Sequence, residues 1–235
     1  YDNNYTPANM SIVCVGGLKL DDLVEKLFAS GFGNLKPGVR SDLPKVVDAN
    51  RHPRQTRHVF EFSKHIKMDK PRESGDYVSS IIFPGTIPAE TFRILRRMID
   101  KVLFDEVRER RGWTYSISAS LASNPSLHEF DIKAEALRAD SLGEVESVIN
   151  TCLESVSSRD DLFRNAVSHY IASSRMEDIS GNGLRKMLMS DLTRSGRIVT
   201  NAETDQVAMS LSMEDVTNLL SQMGPERRYT VLAIP

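Results

Sequence analysis

The chain is 235 residues long, 40% hydrophobic and 26% charged, with a formal net charge of −2. That suffices for one large domain or two small ones and for a core without staples, and a charge so near zero neither favours nor excludes a polyanionic partner. Cys14 and Cys152 are too few for a disulfide framework and read as small buried hydrophobes; no apolar run approaches the ~18 residues of a membrane helix, and no signal peptide opens the chain.

In chain order, residues 11–15 (SIVCV) read as a short buried strand closed by Gly16-Gly17. A helix follows on Leu20, Leu23, Val24, Leu27 and Phe28, stopped by Gly31 and Gly33. Periodicity is lost over residues 34–57, which carry Pro37, Gly38, Pro44 and Pro53 and read as a linker. Residues 59–62 and 77–83 read as strands. Pro88 then opens a helix with Phe92, Leu95, Met98, Ile99, Val102, Leu103 and Val107 on one face.

The clearest alternation runs over residues 113–121, with its partner at 130–136 and a hairpin connection carrying Asn124-Pro125. One polar face on each strand implies an antiparallel sheet covered by helices on one side. Four helices are expected next, around residues 142–156, 162–171, 184–192 and 213–223, the last opened by a capping box at Ser212-Met213-Glu214-Asp215. Residues 229–234 close as a strand. The order predicts an α+β fold with a mostly antiparallel sheet, divided as 1–33, a linker at 34–57, and 58–235.

Among chemistry-bearing residues, the five histidines (His52, His58, His65, His128, His169) show no H-E-x-x-H or H-x-x-E-H spacing, so no metal site is expected in the chain. His128-Glu129 reads as a turn feature. Neither cysteine has the basic surroundings of an activated thiolate, and no G-x-S-x-G occurs. Gly16-Gly17 lacks the rest of a phosphate-binding fingerprint. The cluster Arg93, Arg96, Arg97, Lys101, Arg108, Arg110 and Arg111 is interleaved with Asp100, Asp105, Glu106 and Glu109 and reads as a solvated helix face. A basic module for polyanions is kept as an alternative.

Arg108-Glu109-Arg110-Arg111-Gly112-Trp113-Thr114-Tyr115 spans the helix-to-strand corner. Arg108 belongs to the last helical turn, Gly112 to the corner and Tyr115 to the start of the strand. A cation and a phenol can thereby meet at one point. The plainer reading makes Arg108 a helix C-terminal cation and Tyr115 a core strand residue.

This octapeptide resembles the R-E-x-x-G-[LW]-x-Y signature of the insulinase/pitrilysin family of zinc metallopeptidases, the inverzincins. Tyr5-Thr6-Pro7-Ala8-Asn9-Met10, with the apolar stretch to Val15 and then Gly16, resembles the family's Y-x-P-x-N-M-x-[LVI]-x-V-x-G segment, although Gly17 stands where the family commonly has Asp. The resemblance implies a LuxS/processing-peptidase-like architecture and a protein of two homologous halves. One half holds zinc through H-x-x-E-H; the other supplies an Arg and a Tyr. On that reading residues 1–33 end the zinc-bearing half, 58–235 form a whole second half, and Arg108 and Tyr115 are its catalytic and substrate-binding pair. The implied partners are the zinc-bearing half, in the same polypeptide or another subunit, and an extended peptide, with neither nucleic acid nor membrane. The strand at 11–15 then needs a sheet edge, in the main body or in a second copy as a homodimer. An inactive scaffold subunit of the same fold is the other reading the missing zinc motif allows.

Overall fold

The computed structural model describes residues 5–40, 57–67, 72–124, 126–177 and 181–235. Its helices and strands are α1 (Leu20–Ala29), β1 (Arg57–Glu61), α2 (Phe62–His65), β2 (Ser74–Pro84), α3 (Ala89–Leu103), β3 (Ser116–Ser123), β4 (Leu127–Arg138), α4 (Val145–Val156), α5 (Asp160–Glu177), α6 (Gly181–Ser195), α7 (Asn201–Ser210), α8 (Met213–Leu220) and β5 (Tyr229–Ile234). They fall into two compact units, one from residues 1–46 and 174–200, the other from 47–173 and 201–235.

The second unit is built on a five-stranded sheet in the order β1-β5-β2-β4-β3. Only β1 and β5 run parallel; β5–β2, β2–β4 and β4–β3 are antiparallel. The period-2 pattern decides the faces. Tyr77, Ile81 and Phe83 of β2 and Phe130, Ile132 and Ala134 of β4 are buried, together with Phe92, Ile94, Leu95, Met98, Ile99 and Leu103 of α3. α3 lies against β3 and is contacted in turn by α4, α7 and α8. On the other face Ser80 donates to Asp131 at 2.5 Å, Ser120 donates to it at 3.4 Å, and Lys133 pairs with it at 3.2 Å. This is the α+β arrangement of a mostly antiparallel sheet that the alternation implies. In the β3–β4 hairpin Asn124 Oδ1 accepts from the Ser126 and Leu127 amides at 2.9 and 3.0 Å.

The predicted helix starts hold where local chemistry enforces them. Ser212 and Asp215 form the reciprocal box at the head of α8, the Asp215 carboxylate accepting from the Ser212 amide at 2.7 Å. That amide and the Ser212 hydroxyl lower the Asp215 pKa. α7 was not anticipated. Its sequence has no apolar stripe, and the helix instead buries Asp205 and Ala208. Cys152 is buried as expected, and burial pushes its thiol up to about 11.

The first unit holds α1 and α6 and, among its described residues, no strand. Residues 11–15 therefore do not form the expected strand: a strand exists through a partner's ladder, and this unit supplies none. Cys14 is exposed, not buried. α1 keeps its amphipathic spacing yet buries no residue, with Leu20 73% and Phe28 66% exposed. Gly31 ends it in the left-handed region at φ +96°, as C-terminal glycines do. Of the expected linker, 41–56 lie outside the described residues, and residue 57 already belongs to β1.

Asp100 ties α3 to the edge strand by accepting from the Ala119 amide at 2.6 Å. Burial raises its pKa above the ordinary carboxylate value, against the lowering pull of that amide and of Arg96 and Arg97. A raised folded-state pKa means that the folded chain holds the proton more tightly, so this contribution to stability falls as pH rises through the shifted pKa. Asp100→Asn keeps an acceptor and removes the buried charge. It is expected to melt higher than the parent at pH 7, with the gap closing as pH approaches 3.8; thermal melts across that range check it.

Candidate functional site

α3 does not stop where its register changes. Phe104 to Arg110 continue as a π-helical turn. Within and beyond it the Arg111 amide bonds Glu106 O at 3.2 Å, the Gly112 amide bonds Arg108 O at 3.1 Å, and the Trp113 amide bonds Val107 O at 3.1 Å. Gly112 sits at φ +61°, where a side chain would be strained. Trp113 O then accepts from the Arg138 amide at the far end of β4, at 3.0 Å. The corner is closed on both sides, and β3 begins at Ser116.

The side chains of the turn divide sharply. Val107 is buried and anchors the turn in the core. Glu106 takes two guanidinium groups, Arg110 at 2.7 Å and Arg111 at 2.9 Å. Arg111 also lies over the Trp113 ring, 4.7 Å from its centroid. Arg108 is drawn to neither; its ion pair with Glu109 is long, at 3.7 Å. Its guanidinium stands 4.9 Å from the Phe104 ring centroid and 5.9 Å from that of Tyr115.

Tyr115 is 89% exposed. It precedes β3 and is not the core strand residue of the plainer reading, nor does it share a packed strand face with Trp113 and Ile117. The alternation set that expectation, but hydrogen-bonded pairing with β4 starts one residue later, at Ser116–Glu135. The structure thus brings Arg108 and Tyr115 together on an accessible surface. Sequence reasoning missed the frame around them: Phe104, four residues before Arg108, Glu106, four and five residues before Arg110 and Arg111, and the buried Thr114.

No described group of three or more His, Cys, Asp or Glu can hold a metal ion. His128 is buried, contacts the Ser123 hydroxyl through Nδ1 and lies 2.8 Å from Ile87 O through Nε2. It stands at the β3–β4 turn. His65 stacks on Phe60, and His58 packs against Tyr229. The described residues do not fit zinc. The basic cluster is largely occupied internally: Lys101 bonds Asp105 at 2.6 Å, Arg93 donates to the Tyr170 hydroxyl at 3.0 Å and Arg97 to Ser173 at 3.0 Å.

Residues 1–162 match the family model of the peptidase M16 inactive domain, and the chain belongs to that family. Among solved structures it is similar to the periplasmic protease PqqL from Escherichia coli, with a TM-score of 0.64, 16% identity, and coverage of 94% of this chain and 24% of that one. A putative M16-like peptidase from Alicyclobacillus acidocaldarius matches with a TM-score of 0.68 and 13% identity over 94% of this chain and 53% of that one. A chain of complex III2 from Candida albicans matches with a TM-score of 0.62 and 12% identity over 92% of this chain and 50% of that one. At such identities the likeness shows the fold, and the chain spans only a quarter to a half of these proteins. No curated protein sequence matches it.

A Cβ at Gly112 would meet nothing within 4 Å, so the cost of a side chain there is purely conformational. Gly112→Ala is expected to destabilise the chain by ~1–2 kcal/mol, and Gly112→Asn by less, because Asn tolerates the left-handed region. Denaturant unfolding of the two variants measures the difference.

Proposed function

We propose that this chain is the half of a zinc metalloendopeptidase that binds extended peptide and completes the active site with Arg108 and Tyr115. The observation that carries the reading is the accessible phenol of Tyr115 standing beside the Arg108 guanidinium, 5.9 Å from ring centroid to cation. On this reading residues 1–33 are the tail of a preceding zinc-bearing half and residues 58–235 belong to the second half.

Peptide hydrolysis builds negative charge on the scissile carbonyl oxygen. A fixed donor aimed at that oxygen is worth ~3–4 kcal/mol of transition-state stabilisation in hydrolases. The Tyr115 hydroxyl is such a donor, and its exposure leaves it free to meet a substrate brought by another body. Arg108 can offer planar N–H groups to a backbone carbonyl, its guanidinium lying 4.9 Å from the Phe104 ring centroid and 5.9 Å from that of Tyr115. Supplying both groups from a separate half makes turnover depend on closure, which also excludes water. Pairing of an extended peptide with a sheet edge would give sequence-tolerant affinity.

The likeness to a chain of complex III2 favours a second reading, an assembly subunit of the same fold without peptidase activity. A polyanion module is the third, and the internal pairing of its cations weighs against it. Retention on a heparin column that salt does not weaken in the way released counterions require would dispose of that third reading.

Two outcomes are expected. In the full-length parent, Tyr115→Phe should lower kcat/KM by roughly 10²–10³ with an unchanged melting temperature, since it keeps the ring and removes only the hydroxyl of an exposed side chain, and Arg108→Ala should raise KM as well as lower kcat. Normal turnover by the Phe variant would take the catalytic role from Tyr115, whereas a parent protein that cleaves no peptide would favour the scaffold. The isolated chain should hold no stoichiometric zinc after dialysis and cleave no quenched peptide; chelator-sensitive cleavage by the isolated chain would overturn the division of labour between halves.

A further inference from the structure

Tyr115 is almost wholly solvent-exposed, so packing does not aim it. What constrains it is the backbone on either side. Thr114, its neighbour, is 5% exposed, and the Thr114 hydroxyl donates to the backbone carbonyl of Glu135 on β4. The same oxygen accepts from the Ser116 amide at 3.0 Å. One hydroxyl therefore closes a tight turn from residue 114 to 116 and fastens that turn to β4. It sits beyond the Ser116–Glu135 pair where the regular ladder begins. Tyr115 is the outward apex of the turn. Hydroxyl bonds to neighbouring backbone are the usual means by which Thr fixes local conformation outside regular structure.

Resting on the active-site reading above, we propose that Thr114 is the positioning residue for Tyr115: its hydroxyl holds the turn that aims the phenol beside Arg108. Valine at 114 would keep the branched shape and remove the hydroxyl, leaving the Ser116 amide and the Glu135 carbonyl without that partner. The turn would still form, but over a wider range of directions for Tyr115. The loss then falls on the oriented, transition-state contact more than on substrate affinity. Serine at 114 would restore both bonds.

The test is a double-mutant cycle in the full-length parent with Thr114→Val, Thr114→Ser, Tyr115→Phe and Thr114→Val/Tyr115→Phe. Thr114→Val should lower kcat about tenfold, the scale of one lost hydrogen bond, with KM changed less than about twofold. Thr114→Ser should return kcat to near the parent value. In the Tyr115→Phe background Thr114→Val should cost nothing further, because the group it aims is gone. A Tyr115→Phe variant that loses activity beside a Thr114→Val variant that does not, or equal losses from Thr114→Val in both backgrounds, would overturn the role of Thr114 while leaving that of Tyr115 intact. Normal turnover by Tyr115→Phe removes the active-site reading itself and Thr114 with it. Should Thr114→Val fail to fold, Thr114→Cys against Thr114→Ser makes the same comparison at smaller volume, a weak donor against a strong one.

Discussion

At Gly112 the backbone leaves the π-helical turn with φ at +61°, and this conformation lets the Trp113 amide reach back to Val107 while its carbonyl reaches across to Arg138. A regular C-terminal end to α3 would have no reason to satisfy those groups in this way. With the turn widened and pinned at both ends, Val107 stays in the core while Arg108 is carried outward. The same corner delivers the chain to β4, so that Thr114 is buried against the sheet and Tyr115 is not. The aromatic and ionic contacts around Arg108 follow from that placement. Glu106 draws Arg110 and Arg111 to itself, which leaves Arg108 as the cation of the turn that faces Tyr115.

Much of the second unit can be read from the sequence because its faces are unambiguous. The alternation in β2 and β4 and the 3.6-residue spacing of α3 each allow one buried face, and those faces are the ones that pack. The capping box at Ser212 and the Asn124 turn act through short-range bonds, which sequence reading captures well. Three features escaped it for physical reasons. α7 has no stripe, because its burial is set by neighbours and not by its own spacing. Residues 11–15 have the composition of a strand, but composition cannot supply a partner. The alternating pattern at 113–121 runs through the corner without marking where pairing starts, so Tyr115 looked like a strand residue.

Of the candidate site, Arg108, Gly112 and Tyr115 were legible through spacing and resemblance, and the family match agrees with that resemblance. The frame was not. Phe104, Glu106 and Thr114 have ordinary roles in any helix or strand, and only the π turn and the register with β4 give them their particular ones. A site assembled from a widened helical turn is a matter of backbone hydrogen-bond register, which side-chain periodicity does not encode.

The position of β5 has a consequence for how this unit is made. It lies between β1 and β2 in the sheet, yet it comes after every helix in the sequence. Until it has been synthesised, β1 has no neighbour and one edge of β2 stays open, with Tyr77 and Ile81 of that strand committed to a core that is not yet closed. A ribosome adding about 5–20 residues per second takes several seconds or more to pass from β2 to β5. During that interval the nascent chain carries an unpaired strand edge of the kind that other chains can join. Completion of the sheet therefore waits until β5 has been made, and the waiting edge is where a chaperone would find its hold.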